Sequence, residues 1–160
     1  MVEVTQALAF MEQQYAQFVA LAHDGRTPYR WQFRLMRYVA QEGRWPDRIS
    51  VPTASGKTSV IDIHVFLNAM VGLAEGESRK EHEILSCLPL RRIPRRLALT
   101  VNRRSLVDDQ FDEADELCGK IHTSDSMIHY KEGLKLRAGV HDGLPHTDKP
   151  SVMNVVELRG

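Results

Sequence analysis

Hydrophobic residues recur at three- and four-residue spacing in several stretches of the chain, and this spacing predicts amphipathic helices. The first helix is predicted over residues 2–22 and is followed by the helix breakers Gly25 and Pro28. A second helix is predicted over residues 29–41. Further helices are predicted over residues 56–71, 103–119 and 125–138.

Three shorter segments are rich in β-branched and apolar residues and predict strands. These segments are residues 48–52, 97–101 and 152–158. The helix predicted over residues 56–71 is apolar on nearly all of its faces, as in a helix buried against a sheet. Residues 74–94 look polar and irregular. Strands that alternate with helices predict an α/β fold with a parallel sheet, preceded here by N-terminal helices.

The composition is that of a single globular domain. The chain has 160 residues, of which 42% are hydrophobic, enough for one compact domain and too little for two. No apolar run is long enough to cross a bilayer, and the N-terminus lacks the features of a secretory signal. We therefore expect no membrane partner and a cytoplasmic location. Cys87 and Cys118 are expected to be reduced thiols.

The zero formal net charge hides a strong segregation of charge along the chain. Residues 26–48 contain six arginines and two acids. Residues 91–104 contain six arginines and no acid, and residues 108–116 contain six acids and no base. Arginine is the better bidentate ligand for phosphate and carboxylate. Solvated faces and internal ion pairs are the alternative explanation for these positions.

The segment PTASGKT (52–58) lies between a predicted strand and a predicted apolar helix, where phosphate-binding loops occur. Such loops bind oxyanions with backbone N–H groups at the positive end of a helix dipole. Lys57 is expected to contact the β- and γ-phosphates, and the Thr58 hydroxyl to hold Mg²⁺. The fuller consensus has glycine where this chain has Val51, and a chance match at a helix start is the alternative. The candidate nucleotide-binding residues are Pro52, Thr53, Ala54, Ser55, Gly56, Lys57 and Thr58.

A second candidate nucleotide-binding segment, PYRWQ, precedes this loop and contains Tyr29 and Gln32. A glutamine side chain offers one donor and one acceptor group, which matches the N6 and N7 edge of adenine. The segment resembles the adenine-reading Q motif of superfamily 2 helicases. In the alternative interpretation, Tyr29 and Trp31 are packing residues and Gln32 is a surface residue.

A third segment, RRLALTVNRRSLVDDQ (95–110), combines a predicted strand with an arginine-rich helix start. A helix dipole disfavours cations in the first turn, so an anion or the following acidic run is the expected partner of these arginines. The segment resembles motif Ia of the helicase–nuclease of type I CRISPR systems, most closely its I-U branch, also called I-G. The segments PYRWQ, PTASGKT and the closing VVELRG fit the same branch, so the resemblance spans about residues 26–160.

This resemblance implies that residues 26–160 are the first portion of a RecA-like helicase motor domain 1, preceded by an N-terminal helix in residues 1–25. Proteins of the family use ATP and Mg²⁺ to translocate along single-stranded DNA beside a guide-RNA surveillance complex. By matching position, Gln32 would read adenine and the phosphate loop would hold the phosphates and Mg²⁺. The residues near the DNA backbone would be Asn102, Arg103 and Arg104.

Several parts of a helicase motor have no counterpart in the sequence. It contains no D-E-x-H or D-E-x-D motif, whose carboxylates complete the Mg²⁺ site and activate the attacking water. No second motor domain and no HD nuclease domain is recognisable. We therefore expect an incomplete RecA-like P-loop domain that binds ATP weakly and hydrolyses little or none of it alone.

Three other functions remain open at this point. A motor-subunit fragment of a restriction enzyme would share the phosphate loop and similar upstream signals. A small P-loop kinase fits the length, although kinases usually place the loop nearer the N-terminus. A non-enzymatic truncated product would not bind ATP.

Overall fold

The structure is a computed structural model that describes residues 3–51, 56, 59–76, 80–101, 103–139 and 152–157. Within these ranges, every regular element is a helix. The α-helices in chain order are α1 (Val4–Ala22), α2 (Arg30–Glu42), α3 (Val60–Glu75), α4 (Lys80–Leu85), α5 (Arg104–Thr123) and α6 (Ile128–Ala138). Short 3-10 turns lie at Leu90–Arg92 and Asp125–Met127. None of the described helices is long and apolar enough to cross a membrane.

The helices predicted from hydrophobic periodicity are confirmed. The structure ends α2 at Gly43, whose left-handed φ of 69° lets its N–H bond to the carbonyl of Val39 at 2.8 Å. Gly139 ends α6 in the same conformation. The interpretation of residues 74–94 as wholly irregular is wrong, because α4 and one 3-10 turn lie there.

The apolar helix α3 is the centre of the fold. It is buried along most of its length, in agreement with its all-round apolar sequence. The expectation that it is buried against a sheet is wrong, because α3 packs most extensively on α6 and also contacts α1, α2 and α4. An apolar surface requires burial, and other helices provide it as well as a sheet does.

The predicted α/β fold, a partial RecA-like P-loop domain with a parallel sheet, is contradicted by this all-helical architecture. Residues 48–51, 97–101 and 152–157, which the sequence assigned to strands, form none. Strand preference depends on a neighbouring strand that completes the backbone hydrogen bonds, and no such ladder forms among the described residues.

Side chains of α3 and α6 bind the backbone just before residues 97–101. Three consecutive carbonyl groups are each contacted by a buried polar side chain. The contacts are Arg137 Nη2 to Ile93 O (2.8 Å), Asn68 Nδ2 to Pro94 O (3.1 Å) and His64 Nε2 to Arg95 O (3.3 Å). The chain is thus fixed to the helices by their side chains rather than by strand pairing.

The axes of α3 and α6 approach most closely where two glycines meet. A Cβ atom on Gly72 would overlap the backbone carbonyl of Gly133, and one on Gly133 would overlap the carbonyl of Ala69. Only residues without a side chain allow the two backbones to pack at this distance. The crossing therefore depends on these glycines.

An aromatic cluster joins α1 to this central pair of helices. Phe18 on α1 lies 5.0 Å from the ring of Tyr130 on α6 and 5.7 Å from Phe66 on α3. Tyr15 lies 5.2 Å from Phe66. These edge and tilted contacts are the favoured geometries of aromatic pairs, and they make α1 part of the same core.

Candidate nucleotide-binding site

The candidate site begins at the first turn of α2. The Oε1 atom of Gln32 accepts a hydrogen bond of 2.9 Å from the backbone N–H of Tyr29, the residue that precedes the helix. The N–H groups at the start of a helix have no hydrogen-bond partner within the helix. A glutamine side chain at the third helical position can accept a hydrogen bond from the N–H of the residue that precedes the helix. The Gln32 side chain is 5% exposed and is therefore fixed in place.

The other end of the same amide group reaches the end of the phosphate loop. Gln32 Nε2 donates to Ser59 Oγ at 2.7 Å and lies 3.4 Å from the carbonyl oxygen of Gly56. The Ser59 hydroxyl and backbone N–H both donate to that carbonyl as well. Ser59 is the residue that precedes α3. One buried amide thus links the start of α2 to the start of α3.

Gly56 has a backbone conformation and a packing position that favour glycine. Its φ is 74°, in the left-handed region. A Cβ atom there would lie 3.1 Å from Gln32 Nε2 and 3.5 Å from the ring of Tyr29. The backbone of Gly56 therefore passes directly beside both residues that the sequence identified upstream.

Tyr29 and Gln32 differ in exposure and in bonding. Tyr29 is 48% exposed although it lies beside Gly56. Both polar atoms of the Gln32 amide, in contrast, are hydrogen-bonded within the chain. Gln32 therefore holds the starts of α2 and α3 together.

The remaining loop residues lie outside the part of the chain that the structure describes. They are Pro52, Thr53, Ala54, Ser55, Lys57 and Thr58. Asn102 of the proposed DNA-contacting group also lies outside it. The expected phosphate and Mg²⁺ contacts of these residues stay sequence predictions.

Arg103 and Arg104 lie at the start of α5, as the sequence predicted. Arg103 precedes the helix, Arg104 is its first residue, and both are exposed. Neither forms a salt bridge with another described residue. The helix packs mainly on α6 and the turn at Asp125–Met127, so its contacts do not join these arginines to the site around Gln32.

No family model, curated protein or solved structure matches this chain. The functional argument therefore depends on local geometry and on the sequence motifs.

Sequence reasoning missed a polar pair that joins the end of α1 to the first turn of α3. His23, at the end of α1, is hydrogen-bonded through Nε2 to Asp62 Oδ2 at 2.7 Å. The hydrogen bond to Asp62 raises the pKa of His23, while partial burial opposes that shift. An aspartate within the apolar run of α3 was the signal, because a buried carboxylate requires a partner.

Sequence reasoning also missed a cluster of buried polar side chains that contains His64 and Arg137. Burial lowers the pKa of His64, and its Nδ1 has no hydrogen-bond partner among the described residues. Arg137 bonds to Glu75 at 3.1 Å and to Asn68 at 3.3 Å. Arg137, Asn68 and His64 Nε2 bind one another or the backbone of residues 93–95, so we assign these side chains a structural role. No group of three potential metal ligands occurs among the described residues.

Proposed function

We propose that the chain binds ATP with Mg²⁺ through Tyr29, Gln32 and the phosphate loop at residues 52–58. The observation that carries this proposal is the contact between two motifs 24 residues apart, where Gln32 Nε2 lies 3.4 Å from Gly56 O. The contact joins the two motifs at the starts of α2 and α3, which pack on each other. The left-handed Gly56 beside an exposed aromatic ring also fits a nucleotide, whose base can stack while its phosphates approach the backbone.

Each described residue has a separate role in this proposal. Tyr29 stacks on the base, since an exposed tyrosine ring offers an apolar face. Gln32 positions the start of α2 against Gly56 and so sets the distance between the base and the phosphates. Lys57 and Thr58 would hold the phosphates and the Mg²⁺ ion, which neutralises charge on the β- and γ-phosphates when bound.

We further propose, from the sequence resemblance, that this ATP site serves an ATP-dependent DNA helicase or translocase of a type I CRISPR system. The motifs PYRWQ, PTASGKT and PRRLALTVNRR support this role. Single-stranded DNA and a guide-RNA surveillance complex would then be the partners, with Asn102, Arg103 and Arg104 near the DNA backbone.

The ATP proposal is tested by titrating a fluorescent ATP analogue into the chain in the presence of Mg²⁺. We expect Tyr29→Ala to weaken binding about tenfold, because a base–aromatic contact contributes roughly 1–1.5 kcal/mol. Lys57→Ala should remove most of the affinity. Ile128→Ala is the control, because Ile128 is 60% exposed and lies on α6, away from both proposed sites.

Two results would contradict the ATP proposal. One is the absence of binding by the wild-type chain at millimolar analogue. The other is an equal loss of affinity in Tyr29→Ala and Ile128→Ala. Competition with GTP then measures whether the site distinguishes adenine from guanine, since GTP carries an acceptor where ATP carries the N6 donor.

A further inference from the structure

The exposed face of α2 is strongly basic. Arg30, Arg34 and Arg37 are all exposed, and their spacing of four and three residues places them on one side of the helix. Tyr38, 37% exposed, lies on the same side, one turn after Arg34. Residues 26–41 contain no acid. We call this surface the α2 basic face.

A groove of about 740 Å³ runs beside this face, between α1 and α2. Its lining residues are Ala9, Glu12, Gln13, Arg30, Phe33 and Arg34. The single acid of the groove, Glu12, is paired with Arg37 at 3.0 Å. Arg30 and Arg34 form no salt bridge with any described residue. The groove therefore contains two arginines without an acidic partner among the described residues, beside the ring of Phe33.

The location of Arg30 also indicates an anionic partner. It is the first residue of α2, and the first turn of this helix has no acid. The helix dipole disfavours a cation at that end, whereas a phosphate there is favoured by both the dipole and the guanidinium. Arg30 and Arg34 therefore offer two cations to such a partner, since neither forms a salt bridge with a described residue.

The dimensions and chemistry fit a nucleic-acid strand. From Arg30 to Arg34 the helix rises about 6 Å, room for two successive phosphates at roughly 3.4 Å or more each. Guanidinium groups bind phosphate oxygens in bidentate geometry. Tyr38 on the face offers an exposed ring on which an unpaired base can stack. Bases in a duplex are already stacked and would leave this ring unused.

We propose that a single strand of nucleic acid binds along the α2 basic face, with phosphates on Arg30 and Arg34 and a base against Tyr38. This site deepens the nucleic-acid part of the proposed function and is additional to the arginines at the start of α5. Its test uses no ATP, so its failure and the failure of the ATP proposal are separate results.

The test is fluorescence anisotropy of a short labelled oligothymidine across a series of salt concentrations. We expect the double variant R30Q/R34Q to weaken binding at least about tenfold and to reduce the salt slope by about 1.4, because each phosphate contact on a single strand contributes about 0.7. Tyr38→Ala should weaken binding about tenfold with an unchanged slope, since stacking releases no counterions.

The matched control is K131Q/K135Q on α6, which removes two charges at the same four-residue spacing from another helix. It should change the affinity and the slope much less than R30Q/R34Q does. R30K/R34K, which keeps the charges, should retain most of the salt slope. Thermal melts of all variants establish that each remains folded.

Three outcomes would overturn the proposal. The first is an equal loss of affinity in R30Q/R34Q and K131Q/K135Q, which would show attraction by overall charge only. The second is equal affinity for a duplex of the same length. The third is no measurable oligonucleotide binding at low salt. A chain that binds oligothymidine in this pattern but fails to bind ATP would leave this site standing and remove the ATP proposal.

Discussion

At the scale of single residues, contacts that form only in the folded chain change the protonation of some side chains. His23 and Asp62 are far apart in sequence and meet at the junction of α1 and α3. Their hydrogen bond raises the pKa of His23 above its ordinary value, because Asp62 favours the protonated ring. The unfolded chain lacks this partner, so the pair couples folding to proton binding.

This coupling predicts a pH-dependent stability difference for His23→Gln. A histidine whose pKa is higher in the folded state contributes its full stabilisation below the ordinary pKa of about 6.5. That contribution is lost as the pH rises through the folded pKa. We expect His23→Gln to cost about 1 kcal/mol at pH values near 6 and clearly less in alkaline solution.

Urea denaturation of both proteins over a pH series measures this difference. Ser86→Ala, which alters an exposed side chain bonded only to a neighbouring carbonyl, is a suitable control and should show no such trend. A cost of His23→Gln that stayed constant with pH would contradict the assignment of a charged pair.

At the scale of helices, the crossing of α3 and α6 is the most demanding contact of the fold. The two backbones touch at Gly72 and Gly133 without intervening side chains. Any added methyl group must separate the helices and disturb the aromatic cluster that α1, α3 and α6 share.

The variant Gly72→Ala compares two opposing effects, the steric overlap at this contact and the higher helix propensity of alanine. In an exposed helix, glycine to alanine stabilises by roughly 0.8–1 kcal/mol. At Gly72 the overlap with Gly133 reverses the sign, and we expect a net destabilisation of about 2 kcal/mol or more. Thermal or urea unfolding of the variant measures the change.

Gly119 provides the matched control within the same chain. It lies inside α5, and a Cβ atom there would meet nothing within 4 Å. Gly119→Ala should therefore stabilise the protein slightly. If Gly72→Ala proved as stable as Gly119→Ala, the close approach of α3 and α6 would be wrong.

At the scale of the whole molecule, the sequence pattern predicted the helices well and the sheet wrongly. Periodicity at 3.6 residues is local information, and it located α1, α2, α5 and α6. A strand exists only when another segment completes its hydrogen bonds, so residues 97–101 can be apolar and extended without forming one.

For the candidate site, the residues were identified from the sequence and their contacts were not. Gln32 and Gly56 were each identified from the sequence as candidate binding residues, but the hydrogen bond between them, 3.4 Å from Nε2 to the carbonyl oxygen, was not predicted. The use of both polar atoms of Gln32 within the chain depends on Ser59 and Tyr29 and is not visible in any local pattern. His23 with Asp62, and Arg137 with Asn68, are contacts between distant residues and were equally hidden.

The all-helical architecture gives a prediction for the molecule as a whole. We expect the far-ultraviolet circular dichroism spectrum of the chain to be dominated by helix, because every regular element of the described residues is helical. Amide I infrared absorption gives an independent measure. A strong sheet component in both spectra would favour the α/β arrangement that the sequence pattern suggested.

The three side chains that hold carbonyls 93–95 have a consequence for hydrogen exchange. They bind only acceptors, and the N–H groups of residues 95–101 have no acceptor among the described residues. Amide protection against solvent deuterium requires a bonded N–H, not merely a fixed chain. We therefore expect the amide protons of this stretch to exchange faster than those of α3, although side chains fix the carbonyl groups at its start, so fast exchange here would not by itself indicate a disordered segment.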